Sequence, residues 1–367
     1  MDKRRILLTG AILILLGLLF YFQFRDWSSF NWPAFWAEAH EIRLEHIFHA
    51  VLLIYFGYLL RASRWKILLR PVRPNASLIG LVPPTLIGFT GLALLGRLGE
   101  LIRPYLIARR ENLPFSSQLA VWAVERIFDI GAFAILLALA IFLPGTLAAG
   151  THPEFRGGLI TGGILLLGFV VALALGATLV SYKGEALAAG FERRFSHLSE
   201  NLGHRLAQKI REFRAGLNTI ESPLALILLI AVSLLMWYVI ALAYQEVTIS
   251  YHDVTLATYA ANGTKNPLDL PVLRILLLMG SSMVGSMVQL PGVGGGSQVA
   301  TIATLERIFD VPRELALSCG VMLWLVTFVA VVPVGLLLAH REHLSLRRLS
   351  KESHEAPSSE NTAQAET

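Results

Sequence analysis

The sequence predicts an all-α polytopic membrane protein, and three observations predict it. Of the 367 residues, 54% are hydrophobic and only 16% charged, against about 25% charged in soluble domains; mean hydropathy is +0.60. Apolar runs near 5–23, 44–62, 77–95, 116–143, 157–181, 223–247, 272–290 and 314–340 approach or exceed the roughly 18–20 residues that a helix needs to cross a bilayer. The Lys and Arg residues fall in alternate connections. Of 31, three lie at 3–5, five at 61–73, four at 97–110, seven at 183–214 and four at 341–351, while 24–43, 144–156 and 248–272 hold only four between them. A soluble helical protein would need polar helix faces that these runs lack.

The first run follows Lys3-Arg4-Arg5 and is not followed by a small-x-small cleavage site, so it reads as a retained signal anchor. Trp27, Trp32 and Trp36 in the next loop read as interfacial anchors. The third and seventh runs differ from the rest. The third contains Pro83-Pro84, Gly88 and Gly91 and leads into Gly96-Arg97-Leu98-Gly99-Glu100; the seventh contains Gly280 and Gly285 and leads into Pro291-Gly292-Val293-Gly294-Gly295-Gly296. Such residues weaken or break helices, and broken backbone at membrane depth survives only inside protein or beside a wet cavity. If the third run crossed, the basic stretches at 61–73 and 97–110 would face opposite sides, against the rule that positive loops stay cytoplasmic. Six full crossings plus two opposed re-entrant hairpins satisfy that rule, with both termini cytoplasmic.

An internal repeat fits the same topology. Gly96, Glu100 and Pro114 are matched at a constant offset by Gly294, Gln298 and Pro312, each copy placing a proline where the next long helix opens. Related hairpins entering from opposite faces are the pattern of inverted-repeat transporters, with a site near the midplane. The repeated word Glu-Arg-Ile-Phe-Asp at 125–129 and 306–310 falls outside that register and reads as coincidence. Residues 1–345 thus form one membrane domain and 346–367 a disordered cytoplasmic tail rich in Ser, Glu, Ala and Thr. Within the domain, 191–217 carries Phe, Leu and Ile at spacings of three and four with six Lys or Arg between them. Such a helix suits an anionic cytoplasmic leaflet, or packs on other helices.

Chemistry concentrates at the first hairpin and the helix after it. Glu125 lies about 13 Å along its helix at 1.5 Å per residue, inside the hydrocarbon zone, and shares a face with Asp129, while Arg126 is rotated away. Ionised groups there cost about 2.5–3.5 kcal/mol each, so they must face a partner or water. Two readings stay open: a cavity wall gripping a charged headgroup, or an internal ion pair such as Glu125 with Arg97 or Arg103. Arg97, Glu100 and Arg103 sit where a glycine-rich break and a helix start favour phosphate, with Arg97 and Arg103 as bidentate donors. Gln298 is neutral where the first copy has Glu100. Gly96, Gly99, Pro291, Gly292 and Gly294 are candidate hinges or gates. Arg61, Arg64 and Trp65 end their run like an anchor at the inner interface.

Other chemistries find no support. Cys319 is the only cysteine, so neither a disulfide nor a Cys-based metal site is expected. The ten histidines show no His-Glu-x-x-His or paired-ligand spacing, and no Gly-x-Ser-x-Gly occurs. The glycines at 291–296 lack the Gly-Lys-Ser/Thr ending of a phosphate loop. No enzyme, cofactor, metal or nucleic-acid partner is expected.

The words Arg61-x-x-Arg64-Trp65, Gly96-Arg97-x-Gly99-Glu100-x-x-Arg103-x-Tyr105, Glu125-Arg126-x-x-Asp129 and Pro291-Gly292-x-Gly294 resemble the lysylphosphatidylglycerol synthase transmembrane, or flippase-like, family over roughly 40–340. The resemblance implies a domain of a bacterial inner membrane that moves lipids between leaflets, with membrane lipids as partners. Gln298 departs from the acidic residue common at that position, and no counterpart of the synthase's cytosolic aminoacyl-transferase domain is expected here. The expected function is therefore translocation of an anionic or modified phospholipid or a polyprenyl-phosphate-linked lipid. A polytopic lipid-modifying enzyme and a scaffold subunit of an envelope-biosynthesis complex are the alternatives.

Overall fold

The computed structural model describes residues 42–143, 153–196, 222–252, 266–286, 289–290 and 294–342, with isolated positions at 33 and within 203–214. The first apolar run, its tryptophans and the tail lie outside the described residues, as do Pro291 and Gly292. The helices are α1 (Leu44–Leu69), α2 (Leu78–Leu95), α3 (Ile102–Glu111), α4 (Phe115–Phe142), α5 (Pro153–Ser196), α6 (Pro223–Ile249), α7 (Val272–Gly285), α8 (Gly296–Arg307), α9 (Arg313–Trp324) and α10 (Val331–Arg341). A 3₁₀ turn, Gly96–Leu101, joins α2 to α3, and a π turn, Leu325–Val329, joins α9 to α10. Leu44–Leu69, Leu78–Leu95, Gly157–Val180, Pro223–Ile249 and Arg313–Arg341 are each long and apolar enough to cross a membrane. The 28 residues of α4 have the length as well, but carry Glu125, Arg126 and Asp129. The chain is a multi-pass α-helical membrane protein.

Both glycine-broken segments fold as hairpins. The chain turns back after α2, so that α3 packs on α2, and α8 packs on α7 in the same way. At 10, 14 and 12 residues, α3, α7 and α8 fall short of the roughly 20 residues of a crossing. Pro83-Pro84 does not end α2, contrary to the expectation that proline would contribute to the break. The helix runs through both prolines, with the Thr85 hydroxyl donating to the Leu81 carbonyl at 2.8 Å. It stops at Gly96, whose φ of 66° lies in left-handed space where an L-side chain is strained.

Gly99 is a point of close backbone approach. A Cβ there would sit 2.1 Å from the Gly91 carbonyl, so Gly99→Val is expected to cost at least the 1–3 kcal/mol typical of overpacking, read as a lowered melting temperature of the purified protein. The second hairpin uses the same device, a Cβ on Gly285 meeting the Gly296 carbonyl oxygen at 2.2 Å.

The backbone repeats where the sequence does. Asn112 and Asp310 end α3 and the turn after α8 in left-handed conformations, with φ 52° and 55°. Two residues on, Pro114 and Pro312 open α4 and α9 with nearly equal dihedrals (−59°, 139° and −51°, 145°). The glycine match is one residue out of register: the second left-handed glycine is Gly295, not Gly294. The 306–310 copy of the repeated word is chemically unrelated to the first, since Glu306, Arg307 and Asp310 are exposed. The hairpins meet at their tips, where β1 (Gln289–Leu290), paired antiparallel with β2 (Gly294–Gly295), contacts the Gly96–Leu101 turn.

α1 lies antiparallel along α6, and α10 along α2. Of the basic stretch at 191–217, residues 191–196 close α5 beyond a kink at Lys183 (φ −119°, ψ 16°), and the described positions among 203–214 are helical. Arg211 pairs with Glu185 (3.0 Å) and Glu192 (3.4 Å). A hydrogen bond from His204, reinforced by Arg211, holds the Glu192 carboxyl below its ordinary value. The described positions His204 and Arg211 therefore lie against α5.

Candidate functional site

The charged residues of α4, Glu125, Arg126 and Asp129, take part in a buried charge network. The Glu125 side chain is fully buried and Asp129 is 5% exposed. Arg64 bridges them, its Nη2 donating to Glu125 Oε1 at 2.5 Å and its Nη1 to Asp129 Oδ1 at 2.6 Å and to Ser233 Oγ at 3.1 Å. The Trp65 indole donates to Glu125 Oε2 at 2.8 Å. From the return leg of the first hairpin, Arg103 donates both Nη groups to the Glu125 carboxylate. Arg126 Nη2 lies 2.8 Å and Arg61 Nη1 3.8 Å from Asp129 Oδ2. Two elements are thus tied to α4, α1 through Arg64 and Trp65 and α3 through Arg103, while α6 joins the network through the bond from Arg64 to Ser233.

These positions correct one expectation and decide another. Arg61, Arg64 and Trp65 are not interface anchors; they are 8%, 0% and 0% exposed, because α1 runs on past them to Leu69 and turns this face to α4. Between the two readings of Glu125, the internal ion pair with Arg103 is the one formed, so Arg103 is occupied by a carboxylate and is not placed as a free phosphate donor. Arg97 lies in the turn at the hairpin tip, with its side chain outside the described residues.

Beside the network is a cavity of about 290 Å³. Arg61, Arg126, Asp129 and Glu100 form its charged wall, and Phe89, Trp237, Met279, Met283 and Phe328 its apolar one. Tyr58, Tyr244, Ser282, Ser286 and Thr327 add hydroxyls. The Arg61 guanidinium stacks 4.8 Å from the Phe89 ring centroid, an arrangement that lowers the cost of a cation in an apolar place. Arg126 is 34% exposed, toward this space. Its Nε and the Trp237 Nε1 are buried donors without a partner among the described residues. Thr327 and Phe328 reach the cavity from the π turn, a distortion frequent at functional sites, which the Tyr55 hydroxyl caps by donating to the Ala330 carbonyl at 2.8 Å.

The two halves of the repeat differ in chemistry. At the offset that pairs Pro114 with Pro312, Arg103 is matched by Thr301, Glu125 by Leu323 and Asp129 by Thr327. Charge belongs to the first half and hydroxyls to the second. Gln298 lies with Tyr244, Ser282, Thr301 and Thr327 around a small polar recess, and its Oε1 accepts from the Gly295 N–H at 3.3 Å. It caps α8 and does not reach the charge network.

Ser233, Phe89, Trp237, Tyr244 and Ser282 are site residues that sequence reasoning missed. Trp237 alone carried a signal: it sits in the middle of α6, away from the interface where tryptophan is usually placed. A second missed cluster is His46 and His49, one turn apart on α1, with Glu246 on α6. This corrects the reading that the histidines show no paired-ligand spacing.

Two hairpins with short return legs, meeting beside a buried charge network and a part-apolar cavity, define a polytopic membrane domain with an interior site. The chain belongs to the family described as the lysylphosphatidylglycerol synthase TM region, whose model matches residues 7–335. That family is a membrane domain associated with lipid handling. No curated protein and no solved structure matched the chain.

Proposed function

We propose that this protein moves a lipid with an anionic, phosphate-containing headgroup between the leaflets of a bacterial inner membrane, with both termini cytoplasmic. One observation carries this reading. Four buried or part-buried arginines (Arg61, Arg64, Arg103, Arg126) share the site with three carboxylates (Glu100, Glu125, Asp129), and of the three buried donors without a partner among the described residues, Arg64 Nε, Arg126 Nε and Trp237 Nε1, the last two belong to residues of the cavity wall. Within this set one positive charge remains, which a phosphodiester would neutralise; an unbalanced charge at membrane depth is costly.

In this reading Arg126 and Arg61 bind the phosphate, with Trp237 donating beside them. Glu125, Asp129, Arg64 and Arg103 hold the wall in place. Tyr244, Ser282, Ser286 and Thr327 contact the hydroxyls of the headgroup. The hairpin tips separate the cavity from the two faces, and movement is downhill or ion-coupled.

The test is reconstitution into liposomes carrying fluorescent lipids. Dithionite added outside is expected to quench an anionic phosphodiester lipid well beyond the outer-leaflet half, faster than in protein-free liposomes. Quenching that stops at the outer-leaflet share for every anionic lipid tried would reject translocation of those lipids.

A further inference from the structure

His46 and His49 occupy the opening turns of α1, at the end remote from Arg64, and Glu246 the last turn of α6 beside them. At spacing i, i+3 the two rings share one helix face, and donor atoms of all three residues lie within 4.8 Å of one another. His46 Nδ1 donates to Glu246 Oε2 at 2.7 Å, and His49 Nδ1 lies 3.8 Å from the same oxygen. Two ligands on a tetrahedral Zn²⁺, each about 2.0–2.1 Å from the metal, lie roughly 3.3 Å apart. The two observed distances bracket that value, so small side-chain rotations would seat the ion. On the far side of the first ring, Glu45 Oε1 is 3.8 Å from His46 Nε2, where an outer carboxylate commonly fixes a metal-bound imidazole.

The donor set also selects the ion. Two imidazoles and one carboxylate suit zinc and its late first-row neighbours and not Mg²⁺ or Ca²⁺, which prefer all-oxygen ligands. The site lies open at the protein surface, since the His49 side chain is 57% exposed and that of Glu246 27%. A helix-to-helix hydrogen bond alone would need only His46; it gives no reason for the second imidazole to aim at the same oxygen.

We infer that His46, His49 and Glu246 form a divalent transition-metal site, best suited to Zn²⁺, that clamps the end of α1 to the end of α6 and leaves one coordination position open. Because α1 and α6 also carry Arg61, Tyr58, Trp237 and Tyr244, the clamp would fix two walls of the cavity. The inference does not depend on the lipid reading.

The test uses purified full-length protein without an affinity tag, titrated with Zn²⁺ against a chromophoric chelator. One saturable site is expected, with His49→Ala and Glu246→Gln each weakening it about tenfold or more, the scale on which even outer partners of metal ligands act, and His340→Ala leaving it unchanged. Co²⁺ should give the visible bands of a tetrahedral nitrogen–oxygen site, and Zn²⁺ should raise the melting temperature of the wild type but not of His49→Ala. His49 is exposed, so its removal spares the fold. Absence of saturable Zn²⁺ binding by the wild type, or wild-type affinity in His49→Ala and Glu246→Gln, would overturn the proposal.

Discussion

Glu125→Gln is expected to cost this protein a large share of its stability. The carboxylate is fully buried and accepts from Arg64, Trp65 and Arg103 at once. Neutralising it leaves Arg103 without its carboxylate partner and Arg64 with Asp129 alone. Removing one partner of a buried ion pair typically costs about 3–5 kcal/mol, a large fraction of the 5–15 kcal/mol that holds an ordinary domain together. At about 1.3 °C per kcal/mol for a 367-residue chain, from roughly 2.1 cal/mol/K of unfolding entropy per residue, the melting temperature of the detergent-purified variant should fall by about 4–6 °C, with reduced yield. Adding Arg103→Gln should recover part of the loss, because the two side chains are directly coupled. A Glu125→Gln protein that melts with the wild type would show that the network does not hold α1, α3 and α4 together.

Arg126→Gln should do the reverse and abolish function while sparing the fold. Its side chain is a third exposed, and Asp129 keeps Arg64 at 2.6 Å when it is removed. Part-exposed pairs contribute about 0–1 kcal/mol, so the melting temperature should move by a few degrees at most. The cavity, however, loses its most accessible cation and the free Nε. Native mass spectrometry of the wild type is expected to show a retained anionic phospholipid, which Arg126→Gln releases. Equal retention by both proteins would remove Arg126 from the binding wall.

Much of the fold was legible because a bilayer imposes simple demands. Each apolar run that falls on described residues is mainly helical, but the bounds were less legible: the run at 44–62 is the core of Leu44–Leu69, that at 157–181 lies inside Pro153–Ser196, and that at 272–290 is helical only to Gly285. The proline register was equally readable, since Pro114 and Pro312 both open helices after a left-handed residue. Pro83-Pro84 misled because helix-breaking tendency is local, whereas α2 is held by its contacts with α3 and α10.

The site was half legible. A carboxylate deep in an apolar run demands a cation, and Arg103 was among the cations considered. Arg64 was not, because near the end of an apolar run a buried arginine and an interfacial one have the same sequence signature. What separates them is the packing of α1 against α4, which no local pattern encodes. The His46–His49–Glu246 cluster shows the limit more sharply: its hydrogen bond joins residues 200 positions apart.

The central claim is that the cavity beside Arg126 carries the headgroup of an anionic lipid through the protein. The most direct measurement is dithionite quenching in proteoliposomes containing wild type or Arg126→Gln, each first shown to be folded by its melting curve, with anionic and zwitterionic labelled lipids side by side. The account predicts rapid loss of the inner-leaflet anionic signal with the wild type, a slower zwitterionic rate, and protein-free behaviour for Arg126→Gln with the anionic lipid. Equal anionic rates for wild type and variant would contradict it.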